Sequence, residues 1–161
     1  MVDPCKLVEN AVVVVLPQAT QKGLSIDTQL PDGGTMSGLY DEEKLAAIMS
    51  NLLTNAVKFT DKGKIRVMLE CGTSGMEVVI ADTGMGIRAW DLGRAFDEFQ
   101  QLEDLRKHKP SGFGVGLAIV AAMVDVIGGS LIVSSRRGVG TAFTLYAPSL
   151  AERRPRKRKS A

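Results

Sequence analysis

The sequence predicts an α+β fold, a two-layer sandwich in which a mixed, mostly antiparallel sheet is covered by helices on one face. Three observations predict it. Residues 41–59 and 115–127 carry apolar side chains at helical spacing. Residues 65–69 and 76–81, and again 130–134 and 141–147, form pairs of strand-like stretches joined by glycine-bearing turns. The length of 161 residues suits one domain built on one core.

Each element has its own signal. Asp3 and Pro4 make an N-cap and first-turn pair that opens a stretch over 3–22. Residues 12–15 are all valine and favour a strand by propensity. Leu7, Val8, Ala11, Val12, Val15 and Leu16 nevertheless follow helical spacing, and that decides for a helix. Residues 24–30 alternate as a strand, and Pro31, Asp32, Gly33 and Gly34 make a turn. Asp41 caps the helix that ends at Phe59, with Leu45, Ile48, Met49, Leu52, Leu53, Ala56 and Val57 as its apolar stripe. Turns at 61–63 and 72–75 bracket a strand and lead into its antiparallel partner. Between Gly84 and Gly114 charged, glycine-containing sequence surrounds two short apolar islands, at 90–92 and 96–99. A connection of that length is expected to be a functional lid. Gly128 and Gly129 stop the last helix, and the final two strands turn through Gly138 and Gly140.

Composition narrows the classes of function. At 45% hydrophobic and 24% charged the chain is ordinary for a globular protein, and with 5% aromatics its core must rest on aliphatic side chains. No apolar run approaches the roughly 18 residues that span a bilayer, and no basic segment precedes an apolar one at the N-terminus, so neither a membrane span nor a secretory signal is expected. Cys5 and Cys71 lie far apart without metal-like spacing, which suits reduced thiols in a cytoplasmic protein. Residues 151–161 hold six basic residues and one acid, so the other 150 carry a net charge of −3 beneath the total of +2. Such a run can bind nucleic acid or an acidic membrane. Lacking an apolar residue able to pack, it is expected to be a solvated, disordered tail outside a domain at 1–150.

Three patches carry chemistry. Asn51, Asn55 and Lys58 recur at i, i+4 and i+7 in NLLTNAVKFT (51–60) and so share a helix face beside the apolar stripe. Alone they could be a solvated surface. Asparagine is a poor interior helix former, however, whereas its carboxamide oxygen is a hard ligand for Mg²⁺ and a nearby ammonium suits phosphate. In ADTGMGI (81–87), Asp82 ends a strand, and Gly84 and Gly86 let the backbone approach a ligand closely. A plain turn would read the same. A strand-end carboxylate could also accept the amino group of adenine, a charge-assisted bond of about 1.5–3 kcal/mol, and would repel the carbonyl that guanine offers there. In SGFGVGLAI (111–119), Gly112, Gly114 and Gly116 lead into a helix, whose N-terminus favours an anion. With Leu at 117 this is not the dinucleotide fingerprint, and no P-loop is present. A glycine hinge with no ligand would also account for it.

The order and spacing of the patches carry a resemblance. NLLTNAVKFT resembles the N box of histidine kinases, DTGMGI their first glycine box, AFDEFQQ (95–101) their F box and GFGVGLAI their second glycine box. Over residues 3–148 the chain is similar to the gyrase, Hsp90, histidine kinase and MutL ATP-binding superfamily, and the F box resembles its sensor histidine kinase branch. The resemblance implies the Bergerat-type ATP-binding fold with a lid at about 87–114. It implies ATP and Mg²⁺ as ligands, with Asn55 on the metal, Asn51 near the metal and phosphates, Lys58 on phosphate and Phe59 packed near adenine. Asp82 would receive the adenine amino group beside Gly84, Gly86 and Ile87. Phe96 and Phe99 would anchor the lid, and Gly112, Phe113, Gly114, Val115, Gly116 and Leu117 would line the phosphates. Thr141 completes the implied nucleotide-binding set.

Asn51, Asn55 and Lys58 are the implied catalytic residues, for transfer of the γ-phosphoryl group to a histidine. That histidine would lie on a separate dimerisation domain of the same parent protein, which in turn serves the receiver domain of a response regulator. His108, in the lid region, is expected to be a solvated side chain and not the acceptor. Relatives that hydrolyse ATP place a glutamate where Asn51 stands, and a carboxamide cannot take a proton from water. Hydrolysis is therefore expected to be slow and transfer favoured. Phe113 departs from the small residue common in relatives and could alter lid closure. A non-catalytic nucleotide-binding module and a true ATPase are the competing expectations. Nucleic acid and direct membrane contact are not expected, and the cytoplasm is the expected location even if the parent is membrane-anchored.

Overall fold

A computed structural model describes residues 1–31, 37–87 and 114–152. Helix α1 spans Pro4–Gln21, strand β1 Ser25–Gln29, helix α2 Glu42–Phe59, strands β2 and β3 Lys64–Cys71 and Gly75–Asp82, helix α3 Gly114–Val126, and strands β4 and β5 Ser130–Arg136 and Gly140–Pro148. A 3₁₀ turn at Leu150–Glu152 follows.

The five strands form one sheet in the order β1-β2-β3-β5-β4. β1 pairs with β2 in parallel, and every other pairing is antiparallel. α2 lies between α1 and α3 on one face, so the two-layer α+β sandwich expected from the sequence is the observed fold. No described helix is long and apolar enough to cross a membrane.

Why α1 is a helix follows from its termini and its inward face. Asp3 Oδ1 accepts the amides of Cys5 (3.0 Å) and Lys6 (3.3 Å), and Pro4 occupies the first turn, where no amide bond is lost. Leu7, Val8, Ala11, Val15 and Ala19 are buried at three- and four-residue spacing. Burial of that stripe overrides the strand propensity of the four valines, of which Val13 and Val14 face outward. Gly23, at φ +69°, turns the chain from α1 into β1.

α2 is capped by Asp41, whose side chain accepts the Lys44 amide at 3.2 Å. Its seven buried residues match the stripe expected from the sequence, and each large one contributes about 1.5–3 kcal/mol by leaving water. In the sheet the alternation has a definite phase. Met76, Val78 and Ile80 on β3 and Phe143, Leu145 and Ala147 on β5 point into the helix-covered layer. Continued by one step, that phase turns Asp82 and Thr141 inward as well. The fold thus sets a half-buried carboxylate at one end of its apolar layer.

Cys5 and Cys71 are free thiols, half-buried against the core, and burial is the main reason both resist ionisation.

Candidate functional site

Strand register sets Asp82 opposite Thr141 of β5. Its Oδ1 accepts two main-chain amides, from Gly84 at 2.8 Å and from Thr141 at 3.3 Å. Both bonds end on one oxygen, and Oδ2 has no hydrogen-bond partner among the described residues. Burial pushes the Asp82 carboxyl above the usual carboxylate range, against the opposing pull of the two amides.

Around this carboxylate lies a concave pocket walled by Asn55, Ala56, Phe59, Gly86, Ile87, Leu117, Thr141 and Phe143. Apolar side chains dominate, with Asp82, Asn55 and Thr141 as the polar members among the described residues, the arrangement of a site for a flat, partly polar ring. Thr141 Oγ1 lies 2.8 Å from Ser135 Oγ, and Ser135 Oγ accepts the Ile87 amide at 2.7 Å. These bonds hold the last described residue of the loop against the sheet.

Glycine is required where the loop passes close to other backbone. A Cβ on Gly84 would meet the Phe59 carbonyl oxygen, Thr60 Oγ1 at 2.8 Å and Asp82 Oδ1 at 2.9 Å. Gly86 has φ +66° and would drive a Cβ into the Arg136 carbonyl. Both close approaches expected from the sequence are therefore approaches to neighbouring chain segments. The Thr60 hydroxyl is fully buried with no hydrogen-bond partner among the described residues.

Asn55, in the pocket wall, and Asn51 beside it both face α3. A Cβ on Gly116 would lie 3.6 Å from Asn55 Nδ2 and 3.8 Å from Asn51 Oδ1. Asn51 Nδ2 donates back to the Ala47 carbonyl at 2.8 Å, so its oxygen is the free end. The two carboxamides and the first turn of α3 thus form a rim where an anion and a hard cation could meet. No cluster of three or more His, Cys, Asp or Glu able to hold a metal occurs among the described residues. A donor set of neutral amide oxygens fits a magnesium ion that takes most of its ligands from phosphate and water.

Of the residues singled out in the sequence, the fold brings Asn55, Phe59, Asp82, Gly86, Ile87, Leu117 and Thr141 into one pocket, with Asn51, Gly84 and Gly116 adjacent. Lys58 is exposed at the end of α2, its ammonium 5.2 Å from the centre of the Phe59 ring. Gly114 and Val115 open α3. The expected lid, with Phe96, Phe99, His108, Gly112 and Phe113, lies outside the described residues, as do the turn at 32–34 and most of the basic tail. Phe143 and Ser135 join the site from outside the motifs, and Ala56 joins it from the apolar stripe of α2. The alternation that turns Thr141 inward also places Phe143, two residues on.

With this geometry the comparisons agree. The chain belongs to the histidine kinase-, DNA gyrase B-, and HSP90-like ATPase family, whose model matches residues 40–151, and within it is a catalytic and ATP-binding domain of the sensor histidine kinase type. It is 38% identical over 136 residues to the autoinducer 2 sensor kinase/phosphatase LuxQ of Vibrio cholerae serotype O1, covering 82% of this chain and 16% of that protein. To the aerobic respiration control sensor protein ArcB of Escherichia coli it is 35% identical over 139 residues, 84% of this chain and 18% of ArcB. The chain thus spans about a sixth of the length of these relatives. Among solved structures, full-length ShkA in complex with AMPPNP superposes with a TM-score of 0.70 at 30% identity, over 95% of this chain and 32% of ShkA. The catalytic domain of histidine kinase ThkA superposes with a TM-score of 0.75 over 92% of this chain and 93% of its own; at 19% identity it supports the fold alone.

Proposed function

We propose that the domain binds Mg-ATP and transfers its γ-phosphoryl group to a histidine on a dimerisation domain of the same parent protein, as the catalytic step of two-component signalling. The observation that carries this reading is Asp82, a half-buried carboxylate that lines an apolar pocket and takes both of its main-chain bonds on Oδ1. Oδ2 accepts the adenine amino group, while Phe59, Ile87, Leu117 and Phe143 enclose the ring. Gly84 and Gly86 fix the loop so that the carboxylate cannot turn away.

The triphosphate then runs toward Asn55, Asn51 and the N-terminus of α3. Lys58 supplies positive charge from the helix end, and the α3 amides receive phosphate oxygens. Asn55 would hold magnesium, which when bound offsets charge on the phosphates. In the transfer the bond between the γ-phosphorus and the bridging oxygen breaks, a bond to the acceptor imidazole nitrogen forms, and ADP leaves. The protein's share is placement and charge.

Asn51 is what favours transfer over hydrolysis. Its amide nitrogen is tied to the Ala47 carbonyl, and its oxygen cannot hold a proton at neutral pH, so no side chain there activates water. The acceptor domain, the receiver domain of a response regulator and a cytoplasmic location all belong to this proposal.

Mixing the purified chain with ATP and the histidine-bearing domain of its parent is the direct test. Phosphohistidine on that domain, with little free phosphate, is the expected result. Tight ATP binding without transfer would favour a non-catalytic nucleotide-binding module, and rapid phosphate release alone would favour an ATPase. Calorimetry that detects no Mg-ATP binding by the folded chain would remove the proposal altogether.

A further inference from the structure

Lys22 has no part in the motifs, yet its ammonium is fully engaged. It is the C-cap residue of α1, and its Nζ donates to three carbonyls at the end of α2: Val57 at 2.8 Å, Lys58 at 3.0 Å and Thr60 at 2.9 Å. Those are all the donors that an ammonium has. Asp61 lies farther off, 3.8 Å from the same nitrogen. A helix C-terminus presents unpaired carbonyls and negative partial charge, so a cation from another helix satisfies it twice over.

The carbonyl passed over is that of Phe59. It accepts the Met85 amide at 3.1 Å, from the loop between Gly84 and Gly86. Four consecutive carbonyls, 57 to 60, are therefore satisfied by two groups, three by Lys22 and one by the loop that follows Asp82. The same short segment carries the Phe59 ring into the pocket wall.

We propose that Lys22 is a positioning residue for the nucleotide site. By holding the carbonyls on either side of Phe59 it sets the ring against the adenine pocket and keeps the Phe59 carbonyl aimed at Met85, so the loop stays seated under Asp82. This inference rests on the nucleotide-binding reading above. Without the ammonium the last turn of α2 must turn its carbonyls to water, and Phe59 and the loop loosen together.

The test compares the wild-type chain with Lys22→Met and Lys22→Arg, measuring affinity for Mg-ATP and Mg-ADP and, in ligand-free protein, hydrogen exchange of the Met85 amide. Lys22→Met keeps the stem and removes the donors, and is expected to weaken both nucleotides about ten-fold, the scale of one lost charge-assisted contact. The Met85 amide exchanges faster in that variant. Lys22→Arg restores most of both properties, since a guanidinium can still reach two carbonyls. If Lys22→Met does not fold, Lys22→Gln is compared in the same way. Wild-type affinity together with wild-type Met85 protection in the methionine variant would overturn the inference, even if the variant melts earlier. Should the wild-type chain bind no nucleotide, the functional proposal falls. The Met85 exchange rates then decide the relay by themselves.

Discussion

The main-chain oxygen of Phe59, last residue of α2, accepts the amide of Met85, three residues beyond Asp82, at 3.1 Å. One hydrogen bond thus ties the helix that carries Asn55 to the loop beside the half-buried Asp82 carboxylate. Two motifs about 25 residues apart in sequence act as a single wall, and substitutions in either should be felt in both.

Asp82→Asn keeps an oxygen for the Gly84 and Thr141 amides but can set an amide donor where the adenine amino group donates. The expected loss of ATP affinity is about 2–3 kcal/mol, roughly 30- to 150-fold, from a charge-assisted bond replaced by two opposed donors. Calorimetry measures the loss, and far-UV circular dichroism checks that the fold is retained. Unchanged affinity would remove Asp82 from the adenine site.

The same carboxylate also makes a stability prediction. Burial raises its folded-state pKa above the unfolded value, so the folded state holds the proton more tightly. Between those two values the unfolded chain has lost the proton while the folded chain retains it, so stability falls as pH rises through that window and the cost persists at neutral pH. Ligand-free Asp82→Asn should therefore melt above the wild type at pH 7. The difference should shrink as pH drops below the usual carboxylate range, near 4. A scan of melting temperature against pH decides it, and a variant that melts lower at pH 7 would show that the ionised form is the better held.

Much of this site was legible in the sequence, for a physical reason. Asp82 and Thr141 sit at strand ends in phase with the buried positions of β3 and β5, and that period-two phase can be counted without coordinates. The apolar stripe of α2 likewise fixes where Asn51 and Asn55 point. Phe143 obeys the same alternation but is an ordinary core residue in type, so a search for polar and glycine patterns passes over it. Lys22 is illegible for another reason. Its partners are main-chain carbonyls 35 to 38 residues away, and a carbonyl has no residue identity to read. The valine run in α1 shows the converse, a local propensity overruled by burial that only the i, i+4 spacing reveals.

Two glycines separate conformational need from close approach. Gly138 has φ +77° and nothing within 4 Å of a built Cβ, so Gly138→Ala should cost only the left-handed backbone, about 1–2 kcal/mol. Gly86 has φ +66° and also meets the Arg136 carbonyl, whose carbon would lie 2.6 Å from the new methyl. Gly86→Ala should add about 1–3 kcal/mol for displaced backbone and should weaken ATP binding, because Gly86 lines the pocket. Urea denaturation orders the two variants. Equal midpoints would mean that the loop yields without cost.

Asn55 separates holding the metal from holding the base. Its side chain lines the pocket with Gly116 of α3 beside it, and it takes no part in the two bonds that orient Asp82. Asn55→Ala removes the amide oxygen that, among the described residues, lines the pocket and suits magnesium, and it leaves the adenine acceptor intact. Binding of ATP should therefore become insensitive to magnesium, whereas the wild type binds more tightly with the ion than in excess chelator. Transfer to the acceptor histidine should fall at least about 100-fold, the scale of losing one charge-stabilising group at a reacting centre. The variant should still prefer ATP over GTP, since that choice belongs to Asp82. An Asn55→Ala protein that transfers phosphate normally would show that the ion is held elsewhere, and one that loses its preference for adenine would show that the two ends of the pocket are not independent.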